Sequence, residues 1–230
     1  MTNLKSHPSP AREDRSSNRI KKGAARSRRR PPRIVEKILD VRIPNRHGRL
    51  TFGAYRFQMP DGRTQEIYLI YVNVHASVVN VRINSPCFTG DIFGNNRCDC
   101  NWQLLETLRI IKDRRNGLVI YPLEHRGRSL GIVNELRYFG LLAEGKTPRD
   151  AANALGQNRD HRDFSACVAV LKDLGIGAVR IITNNPHKTA FLRRSGIRII
   201  GRIPIVIPQD KHEDVRAANV ARGHQFRGPK

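Results

Sequence analysis

Val78-Val-Asn-Val-Arg-Ile83, Cys87-Phe-Thr-Gly-Asp91 and Arg97-Cys-Asp-Cys100 form one nearly continuous stretch, and the chain changes character across it. Ahead of it, apolar residues alternate with polar ones at the period of a β-strand. Beyond it, Leu104, Leu105, Leu108 and Ile111 recur at helical spacing through Arg115, and Asn116-Gly117 closes that helix. A β run that gives way to alternating helices and strands predicts an α/β (α+β) fold.

Working toward the N-terminus, Leu50-Thr-Phe-Gly-Ala-Tyr-Arg-Phe57 reads as a strand, Pro60-Asp61-Gly62 as a turn, and Ile67-Tyr-Leu-Ile-Tyr-Val72 as an apolar strand. Val35 to Asn84 is therefore expected to form an antiparallel β meander or small barrel. Toward the C-terminus, Leu118-Val-Ile-Tyr121 reads as a buried strand, Gly127-Arg128 as a loop and Leu130 to Ala143 as a helix. Thr147 is an N-cap with Pro148 at the first helical position. Asp163 is expected to cap a helix through Leu174 whose core stripe is Phe164, Val168 and Leu171. Ala178 to Thr183, Pro186 to Arg194 and Ile197 to Ile200 read as strand, helix and strand. The predicted organisation is a disordered basic tail over 1–34, a catalytic domain with a mixed α/β body over 35–209, and a polar C-terminal tail over 210–230.

Charge narrows the partners. The 230 residues carry a formal net charge of +22, with 39% hydrophobic residues. Residues 1–34 hold eleven Lys/Arg against Glu13 and Asp14, or +9, which leaves +13 for the rest. A basic chain favours anionic partners: nucleic acid, phosphorylated metabolites or acidic membranes. Arg26-Ser-Arg-Arg-Arg30 can meet nucleic acid or polyphosphate, or serve only as a solubilising arm. No apolar run reaches the roughly 18 residues needed to span a membrane. The N-terminus lacks the apolar segment of a secretory signal, and clustered cysteines without a disulfide framework predict a cytoplasmic protein.

Three of the four cysteines, Cys87, Cys98 and Cys100, fall within fourteen positions at C-x10-C-x-C spacing. Thiolates are soft ligands suited to Zn²⁺, and a catalytic zinc site takes three protein ligands and keeps its fourth position open. Free cysteines, or a disulfide with one thiol left over, are the alternatives. Cys167 lies on an apolar helical face and reads as a packed thiol. Other polar stretches are Glu124-His-Arg-Gly-Arg128, Asp160-His-Arg-Asp163, Thr183-Asn-Asn-Pro-His-Lys188 and the strand-end Arg82. Strand ends in α/β sheets are where ligands usually bind, and a helix N-terminus after Thr183 suits phosphate. Zinc, cations and a base candidate together suit metal-assisted hydrolysis of an anionic substrate.

Ser85-Pro-Cys-Phe-Thr-Gly-Asp91, Arg97-Cys-Asp-Cys100, Gly127-Arg-Ser-Leu-Gly131, Arg162-Asp-Phe164 and Thr183-Asn-Asn-Pro186 resemble GTP cyclohydrolase II, an enzyme family of riboflavin synthesis, in order over roughly residues 38–225. The resemblance implies opening of the imidazole ring of GTP with release of formate and pyrophosphate. It implies one Zn²⁺ per chain on Cys87, Cys98 and Cys100, with Mg²⁺ accompanying the triphosphate. Arg162 matches the arginine proposed to attack the α-phosphate, and Asp160 the proton acceptor. Arg82, Ile83, Asn84, Ser85, Pro86, Gln103, Arg126, Gly127, Arg128, Thr183 and Lys188 match substrate-binding positions. A homodimer is implied by analogy. The family's synthase partner domain is not expected upstream, because residues 1–34 are too few for it.

Three positions depart from the family pattern. Arg126 stands where the family has Glu, and a donor-only guanidinium reverses the polarity suited to guanine N1–H and the 2-amino group. Phe139 stands where the family has a catalytic Tyr, and the adjacent Tyr138 points about 100° away on a helix. Pro148 aligns with a Thr contact, with Thr147 beside it. These departures also admit a specialised paralogue that stops at the formamidopyrimidine nucleotide or takes another purine nucleotide. A basic nucleotide- or RNA-binding protein is the non-enzyme alternative.

Overall fold

The computed structural model describes residues 30–129, 131–156, 162–207 and 220. The readings of residues 1–29 as a tail, of Asp160 and of the chain beyond 207, Val220 aside, lie outside the described residues. Three strands, β1 (Arg33–Arg42), β2 (Thr51–Gln58) and β3 (Thr64–Val72), form the expected antiparallel meander. It does not close into a barrel. β3 instead pairs antiparallel with β5 (Gly117–Pro122), and one sheet continues in the order β1-β2-β3-β5-β4-β6-β7. β4 (Val79–Ile83), β6 (Ala178–Ile182) and β7 (Arg198–Ile203) complete it, and all pairs from β5 to β7 are parallel.

β4 thus leaves the meander to which its sequence seemed to assign it. Val79, Val81 and Ile83 enter the larger core, while Asn80 and Arg82 point to the other face and are buried there too. Alternation reports two faces with different chemistry, and here neither face is solvent. Asn80 offsets part of its cost by donating from Nδ2 to the Asn116 carbonyl at 2.9 Å, while its Oδ1 is buried without a partner.

Helices cover both faces of the sheet. α5 (Ser165–Asp173) and α6 (Pro186–Arg194) place Val168, Leu171 and Leu192 on one face, against Ile67, Leu69, Leu118 and Ile120. α2 (Cys100–Asp113) places Leu108 and Ile111 on the other, against Val119 and Ile182. β5 is buried on both faces, which is why Leu118-Val-Ile reads as an unbroken apolar run. The helix caps match expectation at Thr147, whose Oγ1 accepts the Asp150 N–H at the start of α4 (Pro148–Ala154). Asp163 accepts the Ser165 N–H at 2.9 Å, so it serves α5 from one residue before the structural cap, Phe164. Among the described residues no helix is long and apolar enough to cross a membrane.

A polar clamp ties α5 to the meander. Asp173 Oδ2 accepts from the Tyr55 hydroxyl at 2.6 Å and from Lys37 Nζ at 2.9 Å. These bonds, Tyr55's first, hold the Asp173 carboxyl below its usual range. A lowered carboxyl stabilises the fold above its unfolded value, about 3.9, and loses that contribution as pH falls through the folded one. Asp173→Asn is therefore expected to cost about 1 kcal/mol in urea unfolding at neutral pH, after discounting the half-exposed Lys37. The gap to wild type should narrow as pH falls below the unfolded carboxyl's value; equal midpoints at neutral pH would refute the clamp.

Candidate metal centre and active site

The carboxyl ends of the parallel strands β4, β5 and β6 lie side by side, and the polar stretches leave the sheet there. Ile83 leads to Cys87, Pro122 leads into a 3-10 turn over Leu123–Ser129, and Ile182 leads to Thr183 and α6. This is the edge where open α/β sheets bind ligands.

Cys87 caps the one-turn α1 (Phe88–Asp91), Cys98 precedes α2 and Cys100 begins it. The three sulfurs lie within 4.8 Å of one another, with Cys87 Sγ and Cys98 Sγ 3.9 Å apart. A disulfide needs about 2.05 Å. Tetrahedral thiolates at 2.3 Å from zinc are about 3.8 Å apart, so the spacing fits metal coordination. All four cysteines are free, and Cys167 is buried in the apolar core as expected.

The loop is built around the sulfurs. A Cβ on Gly90 would lie 2.6 Å from Cys98 Sγ and 3.1 Å from Cys87 Sγ, so only glycine leaves room for the cluster. Asp91 Oδ2 accepts the Cys87 N–H at 3.1 Å and the Tyr121 hydroxyl at 2.7 Å, anchoring the loop to β5. Hydrogen bonds from the Cys100 and Cys87 thiols lower the Cys98 thiol, while its neighbours push Cys100 up. One thiolate is favoured alone; three so close need a cation.

Buried cations border the cluster. Arg82 donates from Nε to Asn84 Oδ1 and from Nη2 to Gln103 Oε1, both at 2.7 Å, and Gln103 Nε2 donates to Asp99 Oδ2 at 2.7 Å. This chain joins the end of β4 to the residue between two of the cysteines. Burial lowers Arg82 to about 10, still a cation at neutral pH. Lys188 Nζ donates to the Ile83 carbonyl at 2.8 Å, and Arg162 donates to Ser85 Oγ at 2.8 Å. Both cations sit over the Phe164 ring, at 5.9 Å and 5.6 Å.

The expected residues therefore separate into groups. Arg82 to Pro86, Gln103, Arg162, Thr183 and Lys188 lie around the end of β4 or its neighbour β6. Thr183 Oγ1 accepts the Asn185 N–H at 3.1 Å, leaving its own proton to donate. Arg126, Gly127 and Arg128 lie in the 3-10 turn after β5, where Arg126 Nε is buried with no partner. Glu124, in the same turn, is exposed. Phe139 is half-buried on α3 (Gly131–Ala143), four residues after Glu135 and on its face.

Sequence reasoning passed over Glu135, Tyr121 and the carboxylates of Asp91 and Asp99. Asp91 and Asp99 were visible inside the cysteine motif. Glu135 and Tyr121 had no local signal, since each becomes part of the site only through the packing of distant elements.

Fold and site together define an α/β protein with a three-thiol cluster spaced for a metal, beside buried cations at the carboxyl edge of parallel strands. Residues 36–204 match the family described as GTP cyclohydrolase II. The chain is 37% identical over 175 residues to "GTP cyclohydrolase-2" of Streptomyces coelicolor, covering 76% of this chain and 78% of that one. It is 34% identical over 196 residues to "GTP cyclohydrolase-2" of Picrophilus torridus, covering 84% of this chain and 100% of that one. It is 37% identical over 187 residues to "Monofunctional riboflavin biosynthesis protein RIBA 3, chloroplastic" of Arabidopsis thaliana, covering 81% of this chain and 36% of that longer protein. The chain belongs to the GTP cyclohydrolase II family.

Gly90→Ala tests the cradle. The added methyl must displace a sulfur, and zinc affinity measured by chelator competition is expected to fall about 10–100-fold. Unchanged affinity would refute the cradle.

Proposed function

We propose that this protein opens the imidazole ring of GTP hydrolytically, with zinc, and releases formate and pyrophosphate. The product is 2,5-diamino-6-ribosylamino-4(3H)-pyrimidinone 5′-phosphate, an intermediate of riboflavin synthesis. The observation that carries this reading is the trio of sulfurs within 4.8 Å, at the strand ends of a chain whose residues 36–204 match the family. Zinc on Cys87, Cys98 and Cys100 supplies an activated water near neutral pH.

The chain's own residues supply the rest. Arg82 and Lys188 are cations buried at the strand ends, and burial strengthens their attraction to a polyphosphate. Mg²⁺ accompanies that polyphosphate. Arg162 is the group that meets the α-phosphate, held by Ser85 and the Phe164 ring. Asp160 is the proton acceptor by family resemblance, and Arg128 and Thr183 are further substrate contacts. Gly127 lets the turn carrying Arg126 approach the base.

Phe139 and Arg126 favour a second reading. Phe139 presents no hydroxyl on the α3 face that holds Glu135. Without that group the second hydrolysis slows, and a formamidopyrimidine nucleotide accumulates. Arg126, with its buried unpartnered Nε, suits a base edge that offers acceptors and makes another purine nucleotide a candidate. A cytoplasmic homodimer completes the proposal. Its support is four free cysteines for the compartment and exposed Val35, Ile38 and Ile43 near the edge strand for the second copy. Nucleic-acid binding by the basic tail is the reading to test if no nucleotide is consumed.

Zinc-loaded protein incubated with a panel of purine triphosphates, with products weighed by mass spectrometry, decides between these. The first reading expects one formate and one pyrophosphate per GTP consumed, and Cys98→Ser is expected to lose zinc and turnover. The second expects formate well below the GTP consumed, raised several-fold by Phe139→Tyr. Stoichiometric formate from wild type ends the second reading; full turnover by Cys98→Ser ends both.

A further inference from the structure

Glu135 is a buried carboxylate that neither zinc binding nor the polyphosphate reading uses. It lies in the second turn of α3. Its Oε1 accepts from the Thr89 N–H at 3.0 Å, the Thr89 hydroxyl at 3.1 Å and the Cys87 thiol at 3.5 Å. Oε2 is buried with no hydrogen-bond partner. All three donors to Oε1 belong to the loop that carries the first sulfur.

The backbone and Cβ of Glu135 lie against a second loop. Gly127 has φ +52°, and a Cβ there would stand 3.3 Å from Glu135 N and 3.6 Å from Glu135 Cβ. The turn that carries Arg126 therefore rests directly on the helical turn that grips Thr89. One residue touches both the metal loop and the candidate substrate loop. Packing alone would not select it, because an apolar side chain buried here avoids leaving one carboxylate oxygen unpaired.

We propose that Glu135 is a positioning residue that fixes the metal loop relative to the Arg126–Gly127 turn through its bonds to Thr89. Once Cys87 coordinates a metal it has no proton to donate, so the two Thr89 bonds carry the connection. Thr89 in turn holds Cys87 two residues away, and the sulfurs keep their spacing to the turn whether or not substrate is present. The proposal rests on the three cysteines being the metal site and is independent of which nucleotide is used.

The test is zinc affinity by chelator competition on the full-length protein, with thermal unfolding as the control for folding. Glu135→Ala removes both bonds, and affinity is expected to fall about 10–100-fold, the usual range for partners behind metal ligands. Glu135→Gln keeps an oxygen that accepts from Thr89, and it should recover affinity to within about threefold of wild type. Thr89→Val keeps the N–H and loses the hydroxyl, and a loss of about threefold or more is expected. With GTP, Glu135→Ala should lower kcat and leave KM nearly unchanged, because the buried cations remain. Glu135→Ala with wild-type zinc affinity overturns the proposal. So does Glu135→Gln as weak as Glu135→Ala, which would make charge the cause instead of the bonds. Wild-type protein that binds no zinc overturns both this proposal and the metal-site reading, whereas a nucleotide other than GTP overturns neither.

Discussion

Three sulfur atoms confined within 4.8 Å of one another are the constraint that organises this molecule. Such a group is electrostatically frustrated by itself. Cys98 is drawn toward the thiolate form only because Cys100 and Cys87 donate to it, and Cys100 is driven the other way. A bound dication removes the conflict by favouring all three thiolates. The surrounding loop resists any other solution. Gly90 leaves no space for a side chain, Asp91 pins the Cys87 backbone, and Glu135 grips Thr89 from a separate helix.

The sheet makes that cluster useful. Parallel pairing of β4 with both β5 and β6 brings three strand ends together, so a metal loop, a 3-10 turn and a helix N-terminus share one edge. Charge follows the same geometry. Arg82 reaches this edge from within the sheet, and Lys188 crosses from α6 to the Ile83 carbonyl. Both side chains are buried, so two cations stand beside the thiols at the strand ends. The relay from Arg82 through Gln103 to Asp99 joins the buried cation and the cysteine loop into a single hydrogen-bonded unit.

Much of this was legible in the sequence, for identifiable reasons. Helices and strands followed from apolar periodicity, and Thr147-Pro148 marked its helix start because a cap and a proline have fixed positional preferences. The cysteine spacing disclosed the three-sulfur cluster because its members are local in sequence. What failed was the place of β4. Its alternation resembled a half-solvated meander strand, but Asn80 and Arg82 are buried, with bonds to Asn116 and Gln103 further along the chain. Glu135 was invisible for a similar reason. A glutamate in an amphipathic helix ordinarily faces water, and only the packing of α3 against the metal loop turns it inward. Gln103 was expected at the substrate, and its amide is already divided between Arg82 and Asp99, a division that no local pattern encodes.

The central claim is that the three thiols hold zinc as a group and leave one coordination position to a lighter atom. Zinc-edge X-ray absorption on the full-length protein, with metal content measured alongside, tests it most directly. We predict one zinc per chain with three sulfur neighbours at about 2.3 Å and one oxygen or nitrogen neighbour at about 2.0 Å. Fewer than three sulfur neighbours, or protein that takes up no zinc, would contradict the account.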